Sequence, residues 1–156
     1  MSTFRAEHGE RAHDFVLALP TSQAFELFTP EGERLWAAGW EPRYLHPADG
    51  RATRGMVFIT GHGGEETIWT MVRHEPASGL VEYLRVTPGS RVGRVLVHCT
   101  ALDLSRTRVN VVYEFTGLTE AGNARIRELL DPARYRDFIE SWAKEIDAAL
   151  SKRARG

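Results

Sequence analysis

The sequence predicts an α+β fold in which a curved antiparallel sheet wraps around one long C-terminal helix. Apolar residues recur at three- and four-residue steps along PARYRDFIESWAKEIDAAL (Pro132–Leu150), which is typical of an amphipathic helix. Asp131 can cap its start, and Glu140 can pair with Lys144 on its polar face. Before that helix come five short β-like segments separated by Pro, Gly and Ser turns, a pattern that favours antiparallel neighbours.

Composition indicates one globular domain with no preference for a charged macromolecule. A chain of 156 residues is one domain by size, with an ordered core expected over about 13–150. The net charge of −1 favours neither nucleic acid nor an acidic membrane. No apolar run is long enough to span a membrane, and MSTFRAEHGERAHD lacks the apolar core of a signal peptide. We therefore expect a cytoplasmic protein.

The first half of the chain predicts one strand followed by two short helices. Met1–Arg11 is polar and predicts a loose lead-in, and the alternating HDFVLAL predicts a strand over His13–Leu19. Thr21 can cap a short helix over Ser22–Phe28. The pair Thr29-Pro30 then repeats the helix-start signal for a second short helix, through about Ala38.

The second half predicts a run of strands. The Pro- and Gly-rich connection Gly39–Thr53 holds at most a brief strand at Tyr44-Leu45. The five predicted strands that follow are Met56–Thr60, Thr67–His74, Leu80–Thr87, Arg91–Asp103 and Thr107–Leu118. Thr119 can then cap a helical run that ends where the C-terminal helix begins.

Four segments carry a resemblance to a known superfamily. They are FELFTPEGERLWAAGWEP (Phe25–Pro42), HGGEETIW (His62–Trp69), EYLRVTPGSRVG (Glu82–Gly93) and LTEAGN (Leu118–Asn123). With the order of elements, they resemble the START-like, birch-pollen-allergen-like superfamily, and within it the small bacterial polyketide-cyclase-like (SRPBCC) members. The resemblance implies the helix-grip fold, with a cavity between the sheet and the C-terminal helix. It implies no single chemistry, because chemistry in this superfamily varies with the cavity lining.

Ten residues are candidates to line that cavity, because they are aromatic or could anchor a polar group of a ligand. They are Trp36, Trp40, Trp69, Tyr83, Arg85, His98, Tyr113, Tyr135, Phe138 and Trp142. The four tryptophans suit either a packed core or the walls of a pocket for a flat apolar ligand.

Alternation assigns the faces of some strands and leaves others open. Thr107–Leu118 has one clearly apolar face, which turns Tyr113 inward. In Leu80–Thr87, simple patterning puts Tyr83 and Arg85 on the convex surface, whereas a polar-lined cavity would turn them inward. Arg91–Asp103 is apolar on both faces, which suggests a covered outer side.

Few of the remaining polar residues form a recognisable site. Glu33 suits a cap or ion pair, or a cavity acid whose pKa burial beside tryptophan would raise. His62 lies in a Gly-rich turn, as an exposed residue or at the cavity mouth, and His98 suits a core, an interface or a general base. Cys99 is the only cysteine, which excludes an internal disulfide, and we expect an inert buried thiol. No metal-ligand spacing or cofactor motif is present, so none is predicted.

Three functions are compatible with these features. The leading hypothesis is binding of a small hydrophobic or aromatic molecule in the cavity. The second is a cyclase, dehydratase or hydrolase acting on a polyketide-like or aromatic substrate, which requires at least two of Glu33, Tyr83, Arg85, His98 and Tyr113 to converge in the cavity. The third is a partner-binding module of the chaperone-ATPase-activator type. An apolar outer face on Arg91–Asp103 would serve such a partner or a homodimer.

Overall fold

The computed structural model describes residues 3–155 and confirms the predicted fold class. The strands are β1 (His8–Leu17), β2 (Arg43–His46), β3 (Val57–His62), β4 (Glu65–Glu75), β5 (Leu80–Thr87), β6 (Arg91–Asp103) and β7 (Arg106–Gly117). The helices are α1 (Thr21–Glu26), α2 (Pro30–Glu33), α3 (Glu120–Leu129) and α4 (Pro132–Arg155). Within the described residues the strands form one antiparallel sheet, in the order β1-β7-β6-β5-β4-β3-β2.

Short turns join the strands from β3 to β7, as the sequence predicts. The bounds of β5 and β6 match the prediction, because Gly79 and Gly89 end the preceding segments in left-handed conformations, with φ of 70° and 74°. Gly79 also packs tightly, since a Cβ there would lie 2.2 Å from the carbonyl oxygen of Cys99. These turns fix the hairpin registers on which the site depends.

The registers place Tyr83 and Arg85 on the inner, concave face of the sheet. Arg85 lies opposite Gly93, and Gly93 lies opposite Phe115, so the three form one row across β5, β6 and β7. Tyr83 and Tyr113 belong to the neighbouring row, and Phe115 and both tyrosines are buried. The interpretation that put Tyr83 and Arg85 on the convex surface is wrong, because the registers through β6 align these residues with the inner face of β7 and override the pattern of β5 alone.

Gly93 is the position in this row that allows close packing on the inner face. A Cβ at residue 93 would lie 2.5 Å from Cε1 of Phe115 and 3.1 Å from Cγ of Arg85. A side chain there would displace the ring or the guanidinium stem. The row therefore depends on a glycine in the middle of a strand.

Helix α4 begins at the predicted residue and crosses the inner face of the sheet. The carboxylate of Asp131 accepts from the backbone N–H of Arg134 at 3.1 Å, which confirms the predicted cap. The hydroxyl of Tyr135 donates to the carbonyl of Val111 at 2.7 Å and ties the first turns of the helix to β7. Ile139 and Ile146 of this helix are fully buried.

Two details of this helix differ from prediction. It continues five residues beyond Leu150, to Arg155. Glu140 does not pair with Lys144, because its carboxylate bonds Nε2 of His13 on β1 at 2.7 Å. The partner across the sheet edge replaces the predicted partner on the helix surface.

The N-terminal strand begins earlier than predicted. Met1 and Ser2, at the start of the predicted lead-in, lie outside the described residues, but His8–Arg11 belongs to β1 and pairs with β7. Polar contacts hold this part of the strand, including Nε of Arg11 donating to the carbonyl of Leu130 at 2.8 Å. His8–Arg11 therefore forms part of β1 although these residues show no alternation of apolar side chains.

Some of the predicted caps and lengths of the shorter helices agree with the structure, and others differ from it. The hydroxyl of Thr119 accepts from the N–H of Gly122 at 3.0 Å and caps α3 as predicted. Thr21 does not cap α1, because its hydroxyl bonds that of Thr107 at 3.2 Å instead. Helix α2 ends at Glu33 rather than near Ala38, and turns continue the segment towards Trp40.

Candidate functional site

A cavity of about 330 Å³ lies between the inner face of the sheet and α4. The segment after α2 closes one side, and α3 contributes to another. Aromatic rings form most of its walls, and these rings belong to Trp36, Trp40, Trp69, Tyr113, Phe115, Tyr135, Phe138 and Trp142. Seven of the ten predicted residues are in this set, and Arg85 is the eighth to line the cavity.

Three of the four tryptophan rings have their polar edges satisfied within the protein. The indole N–H groups of Trp36 and Trp40 donate to the carbonyls of Leu27 and Pro30, each at 2.8 Å. The N–H of Trp69 donates to the hydroxyl of Thr60 at 2.9 Å. What these rings offer the cavity is apolar surface, since their donors are already used.

Trp142 belongs both to the core and to the cavity wall. Its ring centroid lies 5.4 Å from that of Trp36, 6.2 Å from that of Phe28 and 6.3 Å from that of Tyr113. Only 7% of the residue is exposed, yet it lines the cavity. Trp142 is therefore both a packed core residue and part of the cavity wall, so both interpretations of the tryptophans apply at this position.

Phe138 forms the outer part of the α4 wall. The residue is 46% exposed, and its ring makes edge contacts with Tyr113 at 5.9 Å and Trp142 at 5.6 Å. A half-exposed ring packed edge-on against two buried rings lies between the cavity and solvent. Its place is the cavity mouth.

Arg85 brings a positive charge to an otherwise aromatic wall. Its guanidinium carbon lies 4.6 Å from the ring centroid of Trp69 and 5.5 Å from that of Phe115, distances typical of cation–π contacts. Its Nε is buried without a hydrogen-bond partner. Burial lowers the pKa of Arg85 to about 10, which still leaves the side chain charged at neutral pH.

Arg91, on the next strand, is neutralised by its own partner. Its two terminal nitrogens donate to the two carboxylate oxygens of Glu65 at 3.0 and 3.1 Å, a bidentate ion pair. The hydrogen bonds from Arg91 lower the pKa of Glu65. This pair lies at the cavity lining, on β4 and β6.

Glu33 adds a further polar group to the cavity, from the end of α2. Burial raises the pKa of its carboxyl well above the usual value of 4.5. Of the two interpretations of this residue, the structure favours the cavity acid, because it lines the cavity beside Trp36 and Trp142. Burial likewise raises the pKa of Tyr113 to about 12, while the charge of Arg85 opposes that rise.

Two of the predicted site residues do not reach the cavity. Tyr83 is buried on the inner face, but its hydroxyl donates to the carbonyl of Phe28 at 2.6 Å and its ring packs behind Trp69. His98 is exposed on the outer face of β6, since the inner-facing residues of that strand are the odd-numbered ones. Both predictions of a cavity position are wrong.

Other lining residues were not predicted. Phe115 was expected to point inward but was not named as a cavity residue, and Glu65 and Arg125 lie too far apart in sequence to suggest a shared site. One signal was available for Phe115, because Gly93 interrupts an apolar strand opposite it. His62 lies at the cavity edge, as one of its two interpretations allowed, and is also exposed.

The outer face of β6 is less apolar than its pattern suggested. Half-buried Val92 and Leu96 alternate in rows with exposed Arg94 and His98. A homodimer or a protein partner on this face stays a prediction. Cys99 points inward and is 3% exposed, and burial raises the pKa of its thiol to about 12.

Two features are absent from residues 3–155. No helix in this range is long and apolar enough to cross a membrane. No three His, Cys, Asp or Glu side chains in the same range are grouped so that they could hold a metal ion.

Comparisons with known proteins give similarity in structure only. No protein-family model matches the sequence, and no curated protein matches it. The norcoclaurine synthase of Thalictrum flavum, solved in complex with dopamine and hydroxybenzaldehyde, superposes with a TM-score of 0.63 at 12% identity, covering 94% of each chain. Mll3558 from Rhizobium loti has a TM-score of 0.60 at 18% identity, covering 91% of this chain and 99% of the other.

A third similar structure is the di-domain ARO/CYC protein BexL of the BE-7585A biosynthetic pathway. It has a TM-score of 0.66 at 13% identity, and the match covers 89% of this chain but 46% of BexL. Identities this low show the fold alone. The chain therefore shares the helix-grip fold of these structures, which is the fold that the resemblance in its sequence implied.

Proposed function

We propose that this protein binds a small, largely aromatic molecule in the cavity between the sheet and α4. The observation that carries the proposal is the cavity itself, about 330 Å³ of space walled by aromatic rings between the sheet and α4. Protein interiors rarely keep voids larger than a water molecule, and ligand pockets are typically about 300–1,000 Å³. A space of this size and lining suits a ligand of one or two rings.

The similar structures support the same class of ligand. The norcoclaurine synthase in the comparison holds dopamine and hydroxybenzaldehyde, both small aromatic molecules. At 12% identity the cavity linings need not match, so the likeness supports a ligand site in this fold rather than those ligands.

A direct test uses a neutral aromatic probe and a pair of matched substitutions. Naphthalene-2-carboxamide should bind the wild-type protein and change its tryptophan fluorescence, because three of the four indoles that line the cavity are largely buried in its walls. Ser141→Phe places a ring in the cavity lining on α4 and should weaken binding about tenfold or more. Ser151→Phe makes the same change on the exposed end of α4 and should leave binding unchanged.

Two results would contradict the proposal. One is the absence of any saturable binding by calorimetry to a wild-type protein that is folded by circular dichroism. The other is equal binding to both serine variants, which would place the probe outside the cavity.

A second candidate function is enzymatic, and Glu33 is the observation that favours it. A carboxyl kept protonated by burial can donate a proton to a ligand, and the charge of Arg85 can stabilise an enolate oxygen. Such a pair suits dehydration of a β-hydroxy aryl ketone. In a concerted elimination, the protonated oxygen of Glu33 would give its proton to the leaving hydroxyl while its other oxygen takes the α-proton. The carbonyl oxygen would gain enolate character beside Arg85, and the products would be the conjugated alkene and water.

The enzymatic candidate has its own test. A β-hydroxy aryl ketone is incubated with the protein, and loss of water is followed by mass spectrometry. Glu33→Gln should lower the rate by about a hundredfold or more while leaving binding of the naphthalene probe intact. Equal rates for wild type and variant would remove Glu33 from the chemistry.

A further inference from the structure

We infer that Arg85 is an anion receptor and that the cavity selects aromatic ligands carrying a carboxylate. The inference rests on the proposed function, since it names the ligand class of the same cavity. Arg85 is a cation that faces the cavity without a counter-ion among residues 3–155.

The guanidinium of Arg85 lies against aromatic ring faces, at the place where a buried arginine usually has an acidic partner. The guanidinium lies between Trp69 and Phe115, and Arg85 makes no salt bridge within residues 3–155. Glu65 acts on it only at longer range, because the carboxylate of Glu65 is held by Arg91. The buried Nε of Arg85 has no hydrogen-bond partner, and the same is true of Nε of Arg91, so the missing carboxylate is what distinguishes Arg85.

Arg91 shows what a paired cation looks like in the same sheet. It is 4% exposed, and Glu65 satisfies both of its terminal nitrogens. Removing a guanidinium from water without such a partner is costly, and the cost is offset when an anion binds. A fold that pairs one inward arginine and leaves the neighbouring one unpaired keeps the second free for a ligand.

The other acid in the cavity does not neutralise Arg85. Burial holds the pKa of Glu33 well above its usual value, so Glu33 is present as a neutral carboxylic acid over a range of pH where an ordinary glutamate is ionised. Arg125 also lines the cavity, but Glu128 pairs with it at 3.1 Å. Glu145 lines the cavity as well, and this residue is exposed. Among residues 3–155 the guanidinium of Arg85 is therefore the cation of the lining that has no paired carboxylate, and this charge favours an anion.

Geometry narrows the anion to a carboxylate attached to a flat body. A guanidinium offers two parallel N–H donors that match the two oxygens of a carboxylate. The rings of Trp69 and Phe115 beside it favour an aromatic group next to that carboxylate. About 330 Å³ limits the body to one or two rings.

The test compares two probes of nearly the same shape, naphthalene-2-carboxylate and naphthalene-2-carboxamide, by calorimetry at neutral pH. The carboxylate should bind the wild-type protein at least about tenfold more tightly than the amide, as expected for a charge-assisted hydrogen-bonded pair. In Arg85→Met this preference should disappear, with the amide still bound. Arg108→Met removes a charge from the exposed face of β7 and should keep the preference.

A second readout separates the receptor role from a structural one. Arg85→Met replaces a desolvated cation by an apolar side chain of similar length, so the ligand-free variant should melt at a temperature no lower than that of wild type. Arg85→Lys should retain part of the preference for the carboxylate, because it keeps the charge and loses the paired donors.

The outcomes distinguish the inference from the proposed function. Equal binding of the two probes to wild type would overturn the inference and leave the aromatic cavity in place. A preference for the carboxylate that survives in Arg85→Met would overturn it as well, by placing the anion elsewhere. Binding of neither probe to wild type would overturn both.

Discussion

Glu33→Gln should make the protein more stable relative to wild type, by an amount that grows as pH rises. The carboxyl of Glu33 lines the cavity beside Trp36 and Trp142, and burial raises its pKa well above 4.5. In the unfolded chain the same carboxyl is in water and ionises near pH 4.5. Glutamine has nearly the same shape and no charge, so the substitution removes the titration and little else.

The sign of the effect follows from the protons bound in each state. Between the unfolded and the folded pKa of Glu33, the folded protein holds one more proton than the unfolded chain, so wild-type stability falls as pH rises. One proton corresponds to at most about 1.4 kcal/mol per pH unit. The stability of Glu33→Gln relative to wild type should therefore increase with that limiting slope from about pH 4.5 upward, until the folded pKa is reached.

The assay is urea denaturation of both proteins, followed by circular dichroism at several values between about pH 5 and about pH 7.5. Glu145→Gln is the matched control, because it removes a carboxyl from the exposed side of the cavity lining. A difference in unfolding free energy between wild type and Glu33→Gln that stays constant over this range would refute the assignment of Glu33 as a buried, protonated acid.

Three further predictions concern the packing of a tryptophan, the cap of a helix and the reactivity of a buried thiol. Trp142→Ala should lower the free energy of unfolding by about 3 kcal/mol. This is the low end for a buried tryptophan, because one side of the ring already faces the cavity. A loss below about 1 kcal/mol in urea denaturation would contradict the packing of this ring against Phe28 and Trp36. Thr119→Ala should cost about 1–2 kcal/mol by the same assay, since the hydroxyl both caps α3 and donates to the carbonyl of Gly89 at 2.8 Å, and an unchanged stability would show that neither bond matters. Cys99 should react with a disulfide reagent such as dithiobis(nitrobenzoic acid) only after unfolding, because burial raises the pKa of its thiol to about 12. Rapid modification of the native protein would contradict that burial.

The order of elements could be predicted because local signals mark them strongly. The turns before β5 and β6 contain glycine, and the repeating apolar stripe of α4 begins just after a capping Asp131. The start of β1 could not be predicted in the same way. Its first residues are held by contacts such as Arg11 to the carbonyl of Leu130, and such contacts leave no periodicity in the sequence.

The site was predictable where one strand face was clearly apolar. The alternation in β7 turned Tyr113 inward, and the structure agrees. In β5 both faces carry apolar residues, so alternation alone could not place Arg85. The strand registers decide the position of Arg85, because they align it across Gly93 with the inner face of β7. His98 was misplaced for the same reason, since its strand also carries apolar residues on both faces.

The contrast between Arg85 and Arg91 could not have been predicted from sequence. Glu65 lies 26 residues before Arg91 and meets it only because β4 and β6 flank β5 in the folded sheet. Which of two inward arginines receives the carboxylate is decided by three-dimensional distance. The unpaired state of Arg85 is therefore a property of the fold.

The most direct test of the cavity as a ligand site is an NMR structure of the protein with bound naphthalene-2-carboxamide. Intermolecular nuclear Overhauser effects should connect the probe to the ring protons of Trp69, Phe115 and Trp142, which surround the cavity. Contacts confined to the outer face of the sheet, or saturable binding without contact to any of these three rings, would contradict a ligand site between the sheet and α4.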